Sequence, residues 1–218
     1  MKFDIITIFP NIFNSYFSES ILKRAQDKKI IKIKTHDFRK YSDNKHNKVD
    51  DKPFGGGAGM VLRAEPIIKA IKNIKSKNQK SKVILLSAKG KKWNQQLAKK
   101  YSKLDDIILV CGRYEGIDER VKKFVDEEIS IGDYVLTGGE IPAMIITDSI
   151  ARLLPGVLGN DESAIFESHT ESGKLEHPQY TRPEVLEIDG KKMKVPKVLL
   201  SGNHAKVKEW REKKSKKI

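Results

Sequence analysis

Ile107-Ile108-Leu109-Val110-Cys111, followed at once by Gly112-Arg113-Tyr114-Glu115-Gly116-Ile117-Asp118-Glu119-Arg120, is the stretch that decides the fold. An apolar run without alternation is the pattern of a strand buried on both faces, as in parallel sheets covered by helices. The run stops at a glycine and a cluster of charge. In open α/β sheets ligands sit there, just past the carboxyl end of a strand. After Arg120 a short helical segment is expected. Then comes Ile129-Ser130-Ile131-Gly132-Asp133-Tyr134-Val135-Leu136-Thr137-Gly138-Gly139, in which Tyr134-Val135-Leu136 reads as a second strand ending in glycines. Two strand ends with little side-chain bulk would form two walls of one small-molecule site.

The flanking chain fits the same architecture. Residues 3–9 are rich in β-formers and predict a first strand. A helical stripe over 12–29 and a strand over 30–35 complete a βαβ opening, which implies a parallel sheet. A helix over 64–77 has Glu65-Pro66 in its first turn. A strand over 82–86 ends in Ser87-Ala88-Lys89-Gly90, and a helix over 93–101 leads back to the central strand. An apolar helix spans 143–153, with Arg152 near its carboxyl end. Residues 159–183 turn polar and read as a linker, with an ordered turn at Pro178–Pro183. The tail from Ser201 reads as a basic helix with Val207 and Trp210 on one stripe.

Composition narrows the function. The 218 residues suit one medium domain plus a small appendage. No apolar run of about 18 residues exists, so no membrane span is expected. The start lacks a signal-peptide pattern, and a single cysteine suits a reducing cytoplasm. Cys111, closing a buried strand, reads as a small core residue. The net charge of +14 favours an anionic partner, nucleic acid first, although a general bias toward lysine would also make the surface basic. Between Pro66 and Leu104 stand twelve Lys and no acid, a solvated face or a phosphate-tracking surface. Only eight of the 43 basic residues are Arg, which suggests arginine where a planar, bidentate donor is needed. The five histidines are scattered, so no metal cage is expected, and the fingerprints of serine hydrolases and Rossmann dinucleotide sites are missing.

One loop stands out. A polar stretch from His36 leads through Asp50-Asp51 into Phe54-Gly55-Gly56-Gly57-Ala58-Gly59-Met60. It is too long and glycine-rich for a simple connector. Bare backbone there would approach a flat base or a phosphate. It is not a P-loop, since no Lys-Ser/Thr follows at the required offset.

Four segments together resemble the bacterial tRNA (guanine-N1) methyltransferases, of the SPOUT class of knotted methyltransferases. They are Val49–Met60, Cys111–Arg120, Ser130–Glu140 and Pro178–Pro183, in this order, and the similarity covers nearly the whole chain. The resemblance implies an α/β parallel-sheet fold with a deep trefoil knot and a small helical C-terminal domain. Its domains would be 1–160 (catalytic), 161–176 (mobile linker) and 177–218 (short, basic, tRNA-binding). It implies methyl transfer from S-adenosylmethionine to N1 of guanosine 37 of tRNA, beside the anticodon. It also implies a cytoplasmic homodimer whose active site is shared between subunits and grips the anticodon stem-loop. A requirement for Mg2+ is not readable from the sequence.

The resemblance also assigns residues. Leu85, Leu86, Ser87, Gly90, Gly112, Tyr114, Glu115, Ile131, Gly132, Tyr134, Leu136, Gly138 and Gly139 would hold the cofactor. Asp50, Gly55, Gly57, Gly59 and Met60 would receive the guanine. Arg152 would stabilise charge on O6. The general base aligns with Glu167, where the family has Asp; Glu162 and Glu171 are fallbacks. Two further departures are Ala88-Lys89 for the family's Pro-Gln in the first cofactor loop, and a shorter C-terminal portion, from which weaker or lysine-compensated RNA binding is expected. Competing readings are a SPOUT enzyme with another RNA target and a non-catalytic RNA-binding protein.

Overall fold

The computed structural model describes residues 1–160, 167–170 and 173–217. Contacts divide the chain into two units, Met1–Asp161 and Glu162–Ile218. In the first unit the strands and helices run β1 Lys2–Thr7, α1 Phe13–Phe17, α2 Ser20–Asp27, β2 Lys32–Asp37, β3 Asp50–Asp51, β4 Val61–Leu62 and α3 Ala64–Lys75. Then follow β5 Lys82–Lys92, α4 Gln95–Tyr101, β6 Asp106–Cys111, β7 Glu127–Ser130 and α5 Glu140–Ala151. Five strands make one sheet in the order β2-β1-β6-β5-β7, every pairing parallel.

β6 lies at the centre, and its unbroken apolar run has the expected cause. Ile107, Leu109 and Cys111 pack on one face with Phe3, Ile5, Ile84 and Leu86, against α1, α2, α4 and α5. Ile108 and Val110 pack on the other with Ile6, Val83 and Leu85, against α3. Cys111 is a buried core residue, and burial pushes its thiol well above the ordinary range. Asp4 is a buried charge on β1. Burial works against its ionisation, but His36 at 2.6 Å and Lys2 at 2.6 Å outweigh that and hold its pKa low.

Several boundaries differ from the expectations. Tyr134-Val135-Leu136 is not a strand: it is an exposed loop, with Val135 87% exposed. The strand is instead β7, and residues 119–124 form only a 3-10 turn. β7 opens on Glu127-Glu128, which alternation would place in a loop. At the sheet edge both carboxylates find partners: Glu127 pairs with Lys82 at 2.7 Å, and Glu128 with Lys122 at 3.1 Å. β5 does not stop at Leu86. Leu86 and Lys91 both pair with Ile129, so residues 87–90 loop out as a bulge and the strand resumes to Lys92. The helix expected over 12–29 is broken between Phe17 and Ser20.

The second unit contains α6 His204–Lys214, the expected basic helix, whose Asn203 side chain caps it by accepting the Lys206 N–H at 3.1 Å. It also contains a hairpin of Val185–Ile188 with Lys191–Lys194, which the purely helical expectation did not include. Asp189 and Gly190 both take positive φ, the two-residue turn that suits a hairpin's twist. Trp210 packs against Tyr180 and His177, at ring distances of 6.2 and 6.4 Å.

Candidate active site

At the carboxyl edge of the sheet the ends of β5, β6 and β7 enclose a cleft of about 270 Å³. That is close to the lower bound, roughly 300 Å³, of small-molecule sites. Its walls come from three loops. The β5 bulge supplies Leu85, Leu86, Ser87, Ala88 and Lys89; the β6 end supplies Gly112 to Ile117; Ile129 to Ile131, Tyr134 to Gly139 and Pro142 close it. Eleven of the thirteen cofactor residues expected from the sequence therefore line one cleft: Leu85, Leu86, Ser87, Gly112, Tyr114, Glu115, Ile131, Tyr134, Leu136, Gly138 and Gly139.

Gly90 and Gly132 do not line it. A Cβ on Gly90 would stand 2.5 Å from the carbonyl carbon of Glu128 and 2.5 Å from the Ile129 nitrogen. Gly90 is what lets the bulge close back onto β7. A Cβ on Gly132 would strike the Tyr134 ring at 2.5 Å. Both glycines shape the loops rather than face the cleft.

The tightest part of the wall is where the chain entering α5 lies across the end of β6. Gly139 donates its N–H to the Gly112 carbonyl at 2.9 Å, and Gly138 bridges to Arg113. One buried carboxylate pins this crossing. Glu140, 2% exposed, accepts the Thr7 hydroxyl at 2.8 Å and the Arg113 Nε–H at 3.0 Å. Strands β1 and β6 are thereby tied to the first turn of α5, where a helix also favours negative charge. Neither Arg113 nor Glu140 was among the expected site residues. The only sequence signal for Arg113 was the scarcity of arginine. Glu140→Ala is expected to destabilise the first unit by about 3 kcal/mol, because removing one partner strands the other without countercharge. The lower end of the usual range applies, since Arg113 keeps 21% of its side chain exposed. Glu140→Gln should cost less, and urea titrations of the three proteins check the order.

The glycine loop is the tip of a small hairpin. Asp50 pairs with Leu62 and Asp51 with Val61, so residues 52–60 project from β3 and β4. Phe54 is fully exposed, and space around Gly55 and Gly56 is open. The loop's far end is tied to the cleft. Met60 accepts the Glu115 N–H at 3.0 Å, and a Cβ on Gly59 would meet the Glu115 side chain at 2.5 Å. Gly59 and Met60 thus touch the wall that Tyr114 and Glu115 make, while Asp50, Gly55 and Gly57 stand at the hairpin. Tyr114 itself has a positive φ of 60°, an uncommon conformation for a bulky residue that turns the loop after β6 sharply.

Arg152 caps the C-terminus of α5 and is half-buried; it does not line the cleft. Glu167 belongs to the second unit, where its carbonyl accepts the Thr170 N–H at 3.1 Å. Glu162 and Glu171 lie outside the described residues. Among the described residues no three His, Cys, Asp or Glu side chains converge on a metal-sized site, and no helix is long and apolar enough to cross a membrane.

A family model described as tRNA (Guanine-1)-methyltransferase TrmD matches residues 1–218. The chain belongs to this family. It is 54% identical to the tRNA (guanine-N(1)-)-methyltransferase of Shouchella clausii over 216 residues, covering 99% of this chain and 86% of that protein. It is 55% identical over 215 residues to the enzyme of the same name from Clostridium novyi, with the same coverage of 99% and 86%. The crystal structure of tRNA (m1G37) methyltransferase from Aquifex aeolicus matches with a TM-score of 0.79 at 41% identity, covering 96% of this chain and 87% of that one. Family membership and this likeness give the chain the α/β SPOUT fold with its trefoil knot, which explains the close crossing at Gly112 and Gly139.

Proposed function

We infer that this protein methylates tRNA on N1 of guanosine 37, with S-adenosylmethionine as methyl donor. The observation that carries the donor assignment is the cleft itself, built from main chain and glycine at three adjacent strand ends. Gly112, Gly138 and Gly139 line it with main chain able to hydrogen-bond an adenine and ribose, and Leu85, Leu86, Ile131 and Leu136 supply apolar walls. When bound, the donor supplies an electrophilic methyl group on a sulfonium sulfur.

The remaining chemistry falls to the protein. N1 of guanine carries a proton at neutral pH and attacks poorly until it is lost. Glu167 takes that proton as the N1–methyl bond forms and the methyl–sulfur bond breaks. Negative charge spreads onto O6, where the Arg152 guanidinium stabilises it. The guanosine must leave its stack to reach the cleft. The hairpin loop 52–60, with Asp50 at its base, receives it, and its link to Glu115 brings the base edge to the donor.

The first unit is the catalytic domain; the basic second unit, from residue 177 on, holds the anticodon stem-loop. The active enzyme is a cytoplasmic homodimer with an active site completed by both subunits. Ile141 and Ile145 form an exposed apolar stripe on α5, beside Tyr16 and its bond to Asp148. Such a stripe on a charged molecule suits a partner subunit.

The direct test is incubation with donor and an unmodified tRNA carrying guanosines at positions 36 and 37, followed by nucleoside analysis. N1-methylguanosine at position 37 is the expected product. Methylation of a ribose, or of ribosomal RNA alone, would replace this reading with another SPOUT activity.

A further inference from the structure

Phe9, just past the end of β1, anchors a cluster that the steps above leave unused. The Arg113 guanidinium carbon lies 4.8 Å from the centre of the Phe9 ring, and that of Arg39 lies 5.3 Å from it. The ring is itself 39% exposed. Both arginines are held from behind. Arg113 donates Nε–H to Glu140 at 3.0 Å and Nη1–H to Thr137 at 3.4 Å. Arg39 donates Nη1–H to the Ile8 carbonyl, and that nitrogen lies 3.9 Å from Asp37. Asp37 already accepts the Arg39 backbone N–H at 2.9 Å.

The outward edges remain. Arg39 Nε and Nη2, and Arg113 Nη2, have no acceptor among the described residues. Each guanidinium has one carboxylate, but Asp37 is 3.9 Å from Arg39 and partly exposed, whereas Glu140 is 3.0 Å from Arg113 and buried. Cation–π attraction holds them in place but does not neutralise them. The free N–H edges leave both forks able to take a further anion.

We propose that Arg39, Phe9 and Arg113 form a clamp for the phosphodiester backbone of the substrate RNA beside the nucleotide that enters the cleft. The proposal rests on the reading of that cleft and its hairpin loop as the site of base methylation. The planar forks of arginine match phosphate oxygens, and their fixed orientation lowers the ordering cost of binding. The one phenyl ring supports both guanidinium groups. The other anion available is the carboxylate on the methionine end of the donor. Arg113 lines the cleft, but Arg39 does not. An anion that engages both arginines therefore extends beyond the donor's cleft, as an RNA strand does.

The test uses the whole protein with Arg39→Gln. The Kd for unmodified tRNA should rise about 5- to 10-fold at 150 mM salt. The plot of log K against log salt should become shallower by about 0.7–0.9, the signature of one lost phosphate contact. Calorimetric affinity for S-adenosylhomocysteine should not change. Unchanged tRNA affinity and salt slope in a folded variant would overturn the clamp. So would weakened S-adenosylhomocysteine binding with an unchanged slope, which would give these arginines to the donor's carboxylate. Should Arg39→Gln fail to fold, Phe9→Leu serves: a roughly threefold rise in tRNA Kd supports the clamp, and none overturns it. Wild-type protein that binds tRNA but transfers no methyl group would sink the functional reading instead, and the salt slopes would still decide the clamp.

Discussion

Glu167→Gln should lower kcat for tRNA methylation by about 10²–10⁴-fold, the usual contribution of a positioned general base. Glutamine keeps the size and loses only the ability to take a proton. Affinity for S-adenosylhomocysteine should therefore stay at the wild-type value, because the cleft is made by β5, β6 and β7 and not by the second unit. Glu167→Asp should retain more activity than Glu167→Gln, since the carboxylate survives on a shorter arm. Single-turnover kinetics at saturating tRNA separate these cases. Wild-type kcat in Glu167→Gln would move the base elsewhere, with Glu162 and Glu171 the next carboxylates to vary. Arg152→Ala should lose about 10²–10³-fold by the same assay, with donor affinity again intact. Loss of donor binding in both variants would mean that these residues shape the fold instead of the reaction.

Gly139→Ala should abolish donor binding and destabilise the first unit by about 1–3 kcal/mol or more, the usual cost of forcing atoms into a packed site. The cause is steric, since Gly139 has an ordinary φ of −83°. A Cβ there would lie 2.7 Å from the Cys111 Cα and 2.9 Å from the Gly112 nitrogen. Both are main-chain atoms at the end of the central strand, so neither can swing aside as a side-chain tip would. Relief requires prising the start of α5 off β6, which breaks the Gly139–Gly112 hydrogen bond and moves the Glu140 carboxylate away from Thr7 and Arg113. Gly159 is the control: nothing lies within 4 Å of its Cβ position, and Gly159→Ala should be neutral. Thermal melts and calorimetry with S-adenosylhomocysteine measure both effects. Native melting and native affinity in Gly139→Ala would mean that the crossing is looser than described.

The sequence by itself determined the parallel sheet and the edge where the cleft lies. Ile107–Cys111 could be read because a strand covered on both faces shows an uninterrupted apolar run, whatever packs on it. The glycines at 112, 138 and 139 and the loop at 54–60 could be read because bare backbone is a local property. The family's knot entered by resemblance, since no local pattern encodes how a chain threads itself. Only the tertiary structure decided the rest. Tyr134-Val135-Leu136 has strand-like composition, yet the edge position was already taken by β7, whose two glutamates are tolerated because Lys82 and Lys122 come from elsewhere in the fold. Gly90 reads in sequence only as a loop glycine, and it is the bulge that shows its bare Cα lying against β7. The buried Thr7–Glu140–Arg113 link and the two arginines on Phe9 join residues far apart along the chain. Such pairs arise from the folding of the sheet, and nothing in the neighbourhood of either partner announces them.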